Sequence, residues 1–251
     1  FYISSLLTIN QLKMKKLLLF TTLFVGFALS AQTIVTSSEQ LVKGSNWDAY
    51  LGLHDEHYGD ANFNEGSGLV IQRIRISESD YNMRVIRYGN MNDWGLSTPM
   101  DEYQRPAFWR GVSDQIEKWG PNNASKGIYN QGGGSGKYKF AQIYDAKISN
   151  PQAFLSAFKT WLKENDKIIK DRWISVSSYT IAGPGGATHS VTISAESWFE
   201  LEQLRELWGG NTNSAQKFYE NRGEVIDTRN FLVQRLRHYN NATIKAGSTK
   251  D

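Results

Sequence analysis

The segment from residue 137 to residue 239 changes its hydrophobic period in a fixed order, and that order restricts the fold more than any other feature of the chain. Residues 137–148 (KYKFAQIYDAKI) alternate, with Tyr138, Phe140, Gln142, Tyr144, Ala146 and Ile148 on one face, as a strand requires. Asn150-Pro151 then supplies a cap and a first-turn proline. Phe154, Leu155, Phe158, Trp161 and Leu162 follow at the spacing of one helix face. Residues 173–182 (WISVSSYTIA) are rich in β-branched and aromatic side chains and predict a strand. After the GPGG turn at 183–186, residues 187–195 alternate strictly, so the two strands make a hairpin. Ser197-Trp-Phe-Glu200 is a capping box that opens a helix through Leu201, Leu204 and Leu207. Gly209-Gly210 ends it, Asn213 caps a further helix through Phe218 and Val225, and residues 231–239 (FLVQRLRHY) close with a strand. The order β-α-β-β-α-β is that of a ferredoxin-like unit.

The first half repeats part of this pattern. Residues 69–76 (LVIQRIRI) and 82–90 (NMRVIRYGN) form a second hairpin, which runs into Asp93-Trp94 as the later one runs into Ser197-Trp198. A helix containing Ala107-Phe108-Trp109 corresponds to the one containing Lys217-Phe218-Tyr219. The chain thus reads as an internal duplication. Its opening strand and first helix have no clear sequence signal, and residues 45–66 read as a helix and a long loop.

The N-terminus is expected to be a leader. Met14, Lys15 and Lys16 precede the apolar run 17–29 (LLLFTTLFVGFAL) and the small residues Ala28, Ser30 and Ala31. That run is shorter than the ~20 residues of a membrane span. Lys13, Lys15 and Lys16 account for the whole net charge of +3. The rest is neutral, which removes the bulk electrostatic case for nucleic acid. With no cysteine, an exported chain of this kind holds together by packing alone, helped by 8 Trp, 12 Tyr and 12 Phe. The expected organisation is upstream sequence at 1–13, a signal peptide at 14–31, a first, degenerate unit at 32–130, a glycine-rich linker at 131–137, a second unit at 138–240 and a disordered tail at 241–251. The linker, QGGGSGK, is not a phosphate loop. Gln131 stands where the first glycine of that loop belongs, and Tyr138 stands where its hydroxyl residue belongs.

Two such units in one chain resemble the dimeric α+β-barrel superfamily in its fused, single-chain form. The resemblance spans residues 67–240 and rests on element order, with no catalytic motif. It implies an α+β fold of two ferredoxin-like βαββαβ units whose antiparallel sheets face each other, with helices outside and a pocket between the sheets. The expected function is exported binding of a small organic ligand, anionic or aromatic, with no cofactor, no membrane contact after leader cleavage, and a monomer or homodimer in periplasm or medium. A cofactor-independent monooxygenase or isomerase is the alternative, and an envelope interaction module the third reading.

Candidate site residues follow from side-chain type. Arg73, Arg75 and Arg87 on the first hairpin, and Arg235 and Arg237 on the last strand, would pair with an anion if they faced a closed interior. Tyr144 and Tyr179 could line the same pocket, with Tyr138 beside them. His189, among Ala187, Val191 and Ile193, is the best candidate for an acid/base group, and His238 shares its setting. His54 and His57 are a weak metal-ligand pair, read first as part of a polar loop. No metal is expected.

Overall fold

The computed structural model describes residues 33–132, 138–169, 171–210 and 212–242. The expected leader, residues 133–137 of the expected linker and the tail beyond residue 242 lie outside them. Among the described residues are eight strands: β1 (Thr33–Val42), β2 (Gly68–Ile76), β3 (Met83–Asn90), β4 (Ile116–Gln131), β5 (Phe140–Ile148), β6 (Ile174–Ile181), β7 (His189–Ala195) and β8 (Val225–Tyr239). The α-helices are α1 (Trp47–Tyr58), α2 (Gln104–Gln115), α3 (Pro151–Glu164), α4 (Asp166–Ile169), α5 (Trp198–Trp208) and α6 (Asn213–Asn221).

The local signals that start the second-half helices act as their chemistry requires. Asn150 Oδ1 accepts from Ala153 N at 3.1 Å, capping α3. Ser197 Oγ accepts from Glu200 N at 3.2 Å, while the Glu200 carboxylate reaches back to Glu196 N rather than to the cap residue. The cap of α6 is Thr212, whose Oγ1 accepts from Ala215 N, so the cap lies one residue before Asn213. That helix ends at Asn221, and Val225 opens β8. The tight return at 183–187 needs glycine. A Cβ on Gly183 would stand 1.8 Å from Ala187 O, and Gly185 and Gly186 have φ of 61° and 76°.

The strands close into a barrel in the order β4-β1-β3-β2-β8-β5-β7-β6, returning to β4. Each half contributes a 4-1-3-2 sheet of the ferredoxin-like kind, and every ladder is antiparallel. The long closing strands β4 and β8 each cross to the other half: β8 pairs with β2, and β4 with β6. Closure removes every free edge, which would otherwise template association.

Outside the barrel, helices cover both sheets. One core joins Phe154, Phe158, Trp161 and Leu162 of α3 to Val176, Val191, Ile193 and Leu232. The other joins Tyr50 and Tyr58 of α1 and Phe108 of α2 to Leu69, Ile71, Met83 and Val85. Burial of such side chains stabilises the fold by about 1.5–3 kcal/mol each. A third, smaller cluster (Ile74, Ala141, Ile143, Phe231, Val233) has no helix residue in it. It is the apolar part of the barrel interior.

Candidate functional site

Strand alternation and register assign the inner face. Ala141, Ile143 and Asp145 lie inward on β5, opposite Val233, Phe231 and Arg229 of β8 and Ser194, Thr192 and Ser190 of β7. On the other side Arg84 of β3 stands opposite both Glu39 of β1 and Gln72 of β2, while Ser37 stands opposite Asn123 of β4. The interior is therefore half apolar and half charged.

The charged half holds two bonded groups that meet at the Phe231 ring. Arg229 Nε and Nη2 donate to Asp145 Oδ2 at 3.1 and 3.0 Å, and Tyr179 OH donates to Asp145 Oδ1 at 2.7 Å. Arg229 Nη1 stands 2.7 Å from Glu39 Oε1, a charge contact whose angles lie off the hydrogen-bonding direction. Glu39 and Asp145 are both 0% exposed. Arg84 Nη2 donates to Ser37 Oγ at 3.3 Å, and Ser37 Oγ donates to Asn123 Oδ1 at 2.9 Å. Phe231 receives the Arg229 guanidinium 4.3 Å from its ring centroid and that of Arg84 at 5.5 Å. Arg229 thus pairs with both carboxylates, Arg84 stands on the same inner face, and Arg235 is a third inward arginine. Burial by itself would lower the pKa of Arg229, but the Glu39 and Asp145 carboxylates raise it above its ordinary value. Burial first, then Asp145, pushes the Tyr179 phenol well above its usual range, so it stays protonated as a donor.

Besides Glu39 Oε1, which has only that charge contact, five polar atoms of this interior have no hydrogen-bond partner in the protein: Glu39 Oε2, Gln72 Oε1, Arg84 Nε, Asn123 Nδ2 and Ser194 Oγ. All five residues are more than nine-tenths buried.

The candidates read from sequence separate across the sheet. Tyr179 is in the network, and Arg235 stands opposite Gln72 on the inner face. A β-bulge at Leu236 then reverses the alternation. Arg237 consequently does not share a face with Arg235. It lies outward, where its guanidinium and the Tyr239 OH both donate to Asp55 of α1. Arg73 lies over the Trp47 ring at 4.3 Å and Arg87 over the Trp109 ring at 5.3 Å, both against helices. Arg75 is exposed near the end of β2. Tyr144 is on the outer face, stacked on Trp208. His189 pairs across the sheet with Ala146 and Ser178 and bonds Thr188 Oγ1 through Nδ1. It faces outward and is held neutral by burial, which lowers its pKa. His238 lies inward near one mouth of the barrel, bonded to Tyr88 OH at 2.7 Å.

His54 and His57 belong to helix α1 rather than to a polar loop. His54 is buried among Tyr50, Tyr58 and Phe108, bonds Tyr50 O through Nδ1, and has a pKa lowered to about 4 by burial. His57 stacks on Phe108. No group of three metal-ligating side chains occurs among the described residues.

No protein-family model matches the sequence, and no curated protein sequence does. Solved structures do match. A proposed monooxygenase from Lactobacillus acidophilus NCFM superposes with a TM-score of 0.52 at 9% identity, covering 81% of this chain and 94% of the other. An anthrone oxidase-like protein gives 0.50 at 9% identity over 84% and 94%. A proposed monooxygenase from Fusobacterium nucleatum gives 0.50 at 10% identity over 85% and 96%. These likenesses show the fold. The chain has the ferredoxin-like α+β barrel architecture, and the site must be argued from its own residues.

Sequence reasoning missed Glu39, Gln72, Arg84, Asn123, Asp145 and Arg229. One signal was present: Asp145 is the single acid in an otherwise apolar inner row, Ala141-Ile143-Asp145, of the most regular strand in the chain. A lone carboxylate in such a row demands a buried cation.

Proposed function

We propose that the protein is an exported small-molecule-binding barrel that holds a small, polar, net-neutral organic molecule between its two sheets. The observation that carries this reading is the set of five orphaned polar atoms around the Arg229 ion-pair cluster of the interior. Each buried, unpaired polar atom costs about 1–3 kcal/mol. Five together would consume most of the ~5–15 kcal/mol by which a domain is stable, so they require partners.

The orphans specify the partner. Glu39 Oε2 and Gln72 Oε1 require donors, and Arg84 Nε and Asn123 Nδ2 require an acceptor. A zwitterion or a primary amide offers both. A bare anion supplies no donor for Glu39 Oε2 or Gln72 Oε1, and this narrows the anionic or aromatic ligand expected from the strand arginines to a neutral one that carries both a donor and an acceptor. Export is supported by the basic start at Lys15-Lys16 and the short apolar run after it.

The test is a thermal-shift and calorimetric titration of the purified protein with β-alanine, acetamide and succinate. The zwitterion or the amide should raise the melting temperature saturably, succinate should not, and Asn123→Leu should weaken the response about tenfold or more. Failure of both neutral probes, or an equal response to succinate, would overturn the reading.

A further inference from the structure

The inner wall built by β6 and β7 is lined with hydroxyls. Ile174 and Val176 of β6 and Val191 and Ile193 of β7 pack outward under the helices. By alternation Ser175 and Ser177 face inward on β6, as do Ser190, Thr192 and Ser194 on β7. Ser177 stands opposite Ser190, and Ser175 opposite Thr192. The hydroxyls are thus about 5 Å apart across the strands and roughly 7 Å apart along them. Neighbouring β5 fills the same inner levels with Ile143 and Ala141, so the narrow interior does not itself demand hydroxyls.

This wall borders open space. Ser175, Ser177 and Thr192 are half-buried rather than sealed, and none of their hydroxyls bonds a described residue. Gly127 of β4 stands opposite Ser177 on the same inner face. It is exposed, and a Cβ added there would meet nothing within 4 Å. Further along β7, Ser194 is 2% exposed and its Oγ is one of the orphaned atoms. At the other end the wall joins the charged cluster. Ser190 lies against the Tyr179 hydroxyl, and Tyr179 stands opposite Ser125, the inward neighbour of Asn123 on β4.

We infer that the neutral molecule held in the barrel is polyhydroxylated, a sugar-acid amide being the simplest member of its class. The inference rests on the interior being a site for a neutral molecule, as proposed above. The amide completes the orphans at Glu39, Gln72, Arg84 and Asn123, and the hydroxylated chain lies along Ser175, Ser177 and Thr192. A hydroxyl both donates and accepts, so ligand and wall hydroxyls satisfy each other without adding charge. An alkyl chain in the same place would strip water from the wall and return no hydrogen bond.

The test is a calorimetric titration of the purified full chain with D-gluconamide, hexanamide and acetamide. Each added hydrogen bond is worth roughly two- to tenfold in affinity, so D-gluconamide should bind about tenfold or more tightly than acetamide. Hexanamide, which has the chain without the hydroxyls, should show no such gain. Thr192→Val and Ser177→Ala each remove one wall hydroxyl with little change of shape. Each should lower the D-gluconamide affinity severalfold and leave the acetamide titration unchanged, which also shows that the variant is folded. Gly127→Leu fills the open space beside Ser177 and should abolish the gain. D-Gluconamide binding no tighter than acetamide, hexanamide matching it, or a gain that survives all three substitutions would overturn the inference and leave the neutral-ligand reading standing. No binding by any of the three amides would overturn it as well, and β-alanine then decides whether the neutral-ligand reading falls with it.

Discussion

Arg229 is the cation on which the barrel interior depends, and replacing it with methionine isolates that dependence. Methionine keeps much of the length and apolar contact with Phe231 but removes both guanidinium donors to Asp145, leaving it the Tyr179 hydroxyl, and removes the charge beside Glu39. Two carboxylates with no solvent exposure are then stranded. Breaking a buried pair by removing one partner costs about 3–5 kcal/mol. In a domain of this size, that lowers the melting temperature by about 6–20 °C. Urea denaturation at pH 7 measures the loss. A loss below about 1 kcal/mol would refute the reasoning that this arginine neutralises two buried acids.

Other consequences are more local. His54 has a folded-state pKa of about 4, so the unfolded chain binds more protons below its usual pKa and stability falls from pH 6.5 to pH 4. The loss is on the order of 3 kcal/mol, and denaturation curves of His54→Leu should show a flatter pH dependence over that range. Ser197→Ala removes the cap of α5 and should cost about 1 kcal/mol in urea, with no effect on the proposed site. Gly183→Ala meets Ala187 O at an impossible distance and should destabilise the β6–β7 return enough to lower the melting temperature measurably by calorimetry.

The second half of the fold was legible because its outer faces are apolar and its caps are conventional. The alternation of β5 and β7 and the helix stripe of α3 match the strands and helix observed. The first half hid its outer strands for a physical reason. β1 (TIVTSSEQLV) places Ser37 and Glu39 inward and Gln40 outward beneath Tyr50, so neither face shows a hydrophobic period. β4 carries Gly120-Pro121 in mid-strand, ordinarily a turn signal. Its pairing with β1 skips at that point, between Asn122 and Trp119, and the bulge absorbs the proline. The arginines misled for a related reason. Strict alternation placed Arg235 and Arg237 on one face, and a single bulge at Leu236 sent them to opposite sides of the sheet. Bulges depend on which strand lies alongside, and one chain read alone does not supply that partner.

The central claim is that the orphaned atoms of the barrel interior are completed by an organic molecule. Its most direct test is a high-resolution crystal structure grown with whichever of β-alanine or acetamide gives the larger thermal shift. The account predicts density for that molecule between the sheets, with its N–H groups toward Glu39 and Gln72 and its oxygen toward Arg84 Nε and Asn123 Nδ2. Ordered water alone satisfying those atoms would contradict it.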